Sequence, residues 1–76
     1  MINTGGSLLD GKTVTELRIK NGLTQSDFWK KYGISQSTAS RYESTNVPLS
    51  VAILIYLEYM GGIDIALIKE KITGES

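Results

Sequence analysis

Four side chains within six residues, Gln36, Ser37, Ser40 and Arg41, have the types and spacing to do recognition chemistry. On a helix, positions 36, 37, 40 and 41 share one face. They offer a mixture of hydrogen-bond donors and acceptors rather than one uniform charge, and such a mixture suits the reading of base edges in the major groove of DNA. Thr38 lies at the margin of the same face, between groove and core. Taken alone, these residues read better as ordinary solvated helix surface. The elements around them decide between the two readings.

Residues 24–43 read as two short helices broken by a glycine. Thr24 is placed to cap the first, its hydroxyl accepting from the free N–H groups of the opening turn. Gly33 supplies the backbone freedom that a sharp exit requires. Ser35 then caps a second helix over Gln36 to Glu43. Two helices joined by a short glycine-containing turn, with a polar second helix, are the layout of a DNA-reading helix-turn-helix.

On either side, further helices are expected. Asp10 caps one over about Gly11 to Lys20, ended by Asn21-Gly22. Phe28 and Tyr32 face inward from the helix Gln25 to Tyr32, as do Ala39 and Tyr42 from the next. Pro48 fits the first turn of a fourth helix reaching Met60, in which ten of the twelve positions from Leu49 to Met60 are apolar. That run is too short for a bilayer, which needs about 20 residues. A fifth helix over Ile63 to Ile72 takes Asp64 as cap. Val51, Ile55 and Tyr59 with Ile63, Leu67 and Ile68 exceed what one small core can hide. The surplus points to self-association, with Tyr59, Ile63, Leu67 and Ile68 as dimer interface, against the alternative of an apolar monomeric core.

Composition narrows the function classes. Seventy-six residues make one small domain whose core must come from a 41% apolar fraction. With no cysteine and no histidine, disulfide staples, thiolate or histidine metal sites and hydrolytic triads are excluded within the chain. No paired carboxylates or glycine-rich phosphate loop replace them, so neither an enzyme nor a cofactor or metal is expected. The opening Met-Ile-Asn-Thr-Gly-Gly-Ser lacks the basic and apolar regions of a signal peptide, and a cytoplasmic setting is expected. Net charge is zero, yet residues 1–45 carry six bases (Lys12, Arg18, Lys20, Lys30, Lys31, Arg41) against four acids (Asp10, Glu16, Asp27, Glu43). The basic excess thus lies in the half holding the helix pair.

Leu23-Thr24-Gln25, the run Tyr32 to Thr38 and Ser40-Arg41-Tyr42-Glu43 closely resemble the helix-turn-helix of phage repressor and Cro proteins and their bacterial relatives (the lambda-repressor-like, or XRE, family). The likeness covers about residues 11–62. It implies an all-α fold, a compact bundle of about five helices, with the third helix in the major groove. Carried over by position, Gln25 contacts a phosphate and braces the recognition helix. Gln36 pairs with adenine, Ser37 and Arg41 contact bases or phosphates, and Ser40 a phosphate. Arg18 and Glu43 form a partly buried salt bridge between helices one and three. Independently of the likeness, Lys30 is a candidate phosphate contact, the alternative being a solvated side chain. The family's usual small residue is replaced by Trp29 and its usual larger one by Ala39, a swap that conserves volume if Trp29 packs inward.

These readings converge on a flexible segment 1–9 followed by a single domain 10–76. The expected function is a sequence-specific transcriptional regulator, a repressor of phage or prophage type, binding double-stranded operator DNA of palindromic sequence as a homodimer. The rival is an antitoxin or adaptor whose apolar C-terminal half binds another protein.

Overall fold

A computed structural model of the chain describes residues 7–74; most of the expected flexible segment 1–9 lies outside the described residues, as do 75 and 76. Five helices follow one another: α1 (Gly11–Lys20), α2 (Gln25–Lys30), α3 (Gln36–Ser44), α4 (Leu49–Tyr59) and α5 (Ile65–Thr73). The fold is all-α, as the sequence implies, and the only extended pairing among the described residues is the isolated bridge of Asp10 with Asn46. Ser7 to Leu9 are held: the Ser7 carbonyl accepts from the Asp10 N–H, the Leu9 carbonyl from the Val47 N–H, and Leu8 packs on the core.

Each expected cap is made by its side chain. Asp10 accepts from the Lys12 N–H, Thr24 from Asp27, Ser35 from Thr38 and Asp64 from Leu67, satisfying donors that the first turn leaves unpaired. Pro48 differs: it stands just before α4 in extended conformation, and the helix begins at Leu49. Helix α2 is also shorter than expected. Beyond Lys30 the chain tightens, with Gly33 N–H donating to the Lys30 carbonyl and Ile34 N–H to that of Trp29. Gly33 sits at φ 74°, the left-handed turn of a Schellman-type helix end.

The core gathers Val14 of α1, Phe28 and Trp29 of α2, Ala39 of α3, Val47 before α4, and Ala52 and Ile55 of α4, with Tyr32, Tyr42, Val51 and Tyr59 partly buried against it. Trp29 does pack inward, buried together with the small Ala39. Gly11 makes the tightest approach: a Cβ there would stand 2.1 Å from the Tyr42 carbonyl oxygen and 2.7 Å from that of Glu43. Only glycine lets the start of α1 cross the end of α3 so closely.

Helix α4 corrects one expectation. Val51, Ile55 and Tyr59 are not surplus: they form the inward stripe, and Ile55 is fully buried. Tyr59 stacks on Phe28 with ring centroids 5.9 Å apart, so it belongs to the core rather than to the outer surface. The outward stripe is Leu49, Ile53, Leu54, Tyr56, Leu57 and Met60. A helix apolar on all sides has no periodic phase to tell the two stripes apart.

Candidate nucleic-acid interface

Glu43, in the last turn of α3, organises the three N-terminal helices. Its side chain is only 7% exposed, and it accepts four hydrogen bonds. Arg18 of α1 donates to both carboxylate oxygens, through Nε at 2.8 Å and Nη2 at 3.1 Å. Gln25, the first residue of α2, donates to Oε1 at 3.1 Å, and the indole N–H of Trp29 to Oε2 at 2.7 Å. A third Arg18 donor reaches the Leu23 carbonyl at 3.0 Å in the α1–α2 connection. Burial alone pushes the Glu43 carboxyl up, but donation from Arg18, Trp29, Gln25 and, last, Thr15 outweighs it and holds the group below its ordinary range. A buried charge satisfied from two helices is a strong constraint on how they are arranged.

With that inner face fixed, α3 turns Gln36, Ser37, Ser40 and Arg41 outward, all exposed. The side chains of Gln36 and Ser40 have no hydrogen-bond partner among the described residues. Arg41 lies beside the Tyr42 ring, its guanidinium carbon 5.9 Å from the centroid. Ser37 and Thr38 are engaged locally, their hydroxyls 3.4 and 3.1 Å from that of the capping Ser35. Thr38 is half-buried. The structure therefore brings Gln36, Ser37, Ser40 and Arg41 onto one open surface and places Gln25 behind it, bonded to Glu43.

Lys30 is not part of that group. Its carbonyl accepts from Lys69 of α5 at 3.4 Å, and it shares a shallow depression with Asp27, Ala66, Lys69 and Glu70. A helical position on α2 does not reveal which neighbour it meets, and here the neighbour is α5.

A second ionic cluster lies where the turn after α2 meets α4. Lys31 pairs with Glu58 at 2.7 Å and reaches the Tyr59 hydroxyl at 3.2 Å. Tyr32 donates its hydroxyl proton to Glu58, and the Lys31 ammonium lies 5.1 Å from the Tyr59 ring centroid. Burial opposes the Lys31 charge, yet the bonds to Glu58 and Tyr59 prevail and raise its pKa. Burial and the bond to Glu58 both raise that of Tyr32. Nothing in the sequence signalled this cluster, whose members stand 26 to 28 positions apart; nor was the Trp29 bond to Glu43 legible, since a buried tryptophan is usually read for its bulk.

Ile63, Leu67, Ile68 and Ile72 are exposed. Among the described residues, no helix is long and apolar enough to cross a membrane.

A family model described as the RsaL-like HTH domain matches residues 15–58, from the middle of α1 to the last turn of α4. No curated protein and no solved structure matches the chain.

Proposed function

The chain belongs to the RsaL-like helix-turn-helix domain family, and from that premise we propose that it is a sequence-specific transcriptional regulator reading DNA with α3 in the major groove. One observation carries the reading: α3 is locked along its inner face by Glu43 and Ala39, while Gln36, Ser37, Ser40 and Arg41 stand exposed on the outer one. Gln36 pairs with adenine through N6 and N7. Ser37 and Arg41 reach further bases or phosphates, and Ser40 and Gln25 phosphates. Thr38, engaged with the Ser35 hydroxyl, supports the helix start, and Lys30 is left to the phosphate backbone or to solvent.

The protein acts as a homodimer in this reading. One module covers few base pairs, and each mismatch costs about 1–3 kcal/mol. Discrimination therefore calls for two copies on a palindromic operator, with half-sites about one helical turn apart. The outer face of α4 and α5, with Ile63, Leu67 and Ile68, joins the copies. The regulator works sterically, as a repressor of the phage repressor and Cro type, on DNA in the cytoplasm; this part rests on the resemblance of its residues. No catalytic step, metal or cofactor enters.

Binding of a labelled duplex across a salt series tests the reading. Six to eight phosphate contacts give a log–log slope of about −5 to −7, and Gln36→Ala or Arg41→Ala weakens binding by about tenfold or more. The exposed apolar face also favours a second reading, an antitoxin or adaptor held to another protein. Unchanged DNA binding in both variants, with a second small protein co-purifying, would support it instead.

A further inference from the structure

The two neutral donors to Glu43 stand four residues apart on α2, one helical turn, and both reach the same carboxylate: Gln25 on Oε1 at 3.1 Å and Trp29 on Oε2 at 2.7 Å. Helix α2 has six residues, far below the ~12–15 at which an isolated helix becomes marginal in water. Its direction is therefore set from outside. Lys31 and Phe28 tie the end of α2 to α4, but toward α3 a tether at Gln25 alone fixes one point, and a second tether one turn later fixes the angle. From this geometry we infer that Trp29 is a positioning residue for DNA reading, its indole N–H fixing the angle between α2 and α3 by holding Glu43.

Trp29 does so without facing DNA, since it is fully buried. The role is separable from bulk. Its ring packs edge-on against Phe28 and Tyr42, with centroids 5.2 and 5.9 Å away; those contacts fill space, whereas the N–H aims one proton at one oxygen. A small change in the angle of α3 moves Gln36 and Arg41 relative to base edges, where hydrogen bonds weaken steeply with misalignment. Phosphate attraction is long-ranged and far less sensitive. Loss of the tether should thus lower discrimination more than affinity for DNA at large.

The inference rests on the reading of α3 as the recognition helix. Trp29 is the only tryptophan in the chain, so replacing tryptophan biosynthetically with β-(3-benzothienyl)alanine keeps the ring system and puts sulfur where the N–H stood. Trp29→Phe serves as a second variant, and far-UV circular dichroism checks that both remain helical. Affinities are measured for the selected operator and for a scrambled duplex over a salt series. The expected result is a fall of about tenfold in the operator-to-scrambled ratio, the scale of one charge-assisted hydrogen bond, with the salt slope unchanged. A benzothienyl protein that keeps the parent's ratio, or that loses both affinities equally, overturns the inference. A parent protein that does not discriminate between the duplexes overturns the reading beneath it, and the two failures are told apart by which protein shows them.

Discussion

The two halves of this molecule satisfy themselves in opposite ways. Helices α1 to α3 turn one ion pair inward, with the Arg18 side chain 14% and the Glu43 side chain 7% exposed, and show polar and charged groups outward. Helices α4 and α5 do the reverse. Of the twelve large apolar side chains exposed among the described residues, ten lie between Leu49 and Ile72. The first half closes on itself and is built to hold an angle. The second is left open, as a surface awaiting a partner is. Between them the Lys31–Glu58 pair and the stacked rings of Phe28 and Tyr59 tie the end of α2 to α4, so the polar face of α3 and the apolar face of α4 and α5 are separate surfaces joined by one seam.

The sharpest way to break the contrast is at Glu43. Glu43→Ala leaves Arg18 charged, largely enclosed and without its ion-pair partner, only the Leu23 carbonyl remaining, and strips Gln25 and Trp29 of their acceptor. A loss of about 3–5 kcal/mol in unfolding free energy by urea titration is expected. The apolar face of α4 and α5 carries no part of that network, so any protein still folded should self-associate as before.

The complementary break lies in the other half. Leu67→Asp with Ile68→Asp places charge where two apolar side chains stand half-exposed at 48% and 43%. Covering the exposed half of each contributes on the order of 0.7 kcal/mol or more, counted on both copies of a symmetric dimer, so self-association should weaken about a hundredfold by sedimentation while helical content stays constant. A protein that remains dimeric would remove α5 from the interface.

The smallest effect, and the most discriminating between the halves, is pH. The Glu43 carboxyl is lowered in the folded state, so below its unfolded value of about 4.3 the unfolded chain binds the proton more readily. The stabilisation it brings is present above that value and is lost as pH falls through the lower, folded one. Lys31 and Tyr32 are raised; their contribution is intact below about pH 10 and is lost as pH rises through the folded values. Acid should disturb Trp29 fluorescence first, and alkali the tyrosine absorbance at the α2–α4 seam.

The same contrast explains how much could be read from sequence. The five helices and the caps at Asp10, Thr24, Ser35 and Asp64 were legible because a cap and its helix are neighbours in the chain. Pairing of Arg18 with Glu43 was implied only by the phage repressor likeness, across 25 positions. The Trp29 bond to Glu43 was hidden because hydrophobic patterning records the ring and not its N–H. Gly11 looked like an ordinary helix start, yet its missing Cβ is what admits α3; close approach between distant elements leaves no local trace. The orientation of α4 was illegible for a different reason, since apolar residues on every side give the helix no phase. The sequence leaves Lys30 between phosphate and solvent, and gives no sign that its carbonyl meets Lys69 of α5.

The most direct test of the central claim, that a rigidly held α3 reads bases through Gln36, is selection of bound sequences from a random double-stranded pool at physiological salt. A short palindrome with adenine at a fixed place in each half-site is expected, and a Gln36→Ala protein that loses the preference at that place alone. Recovery of no sequence by the folded parent protein, or the same adenine retained by the variant, would contradict it.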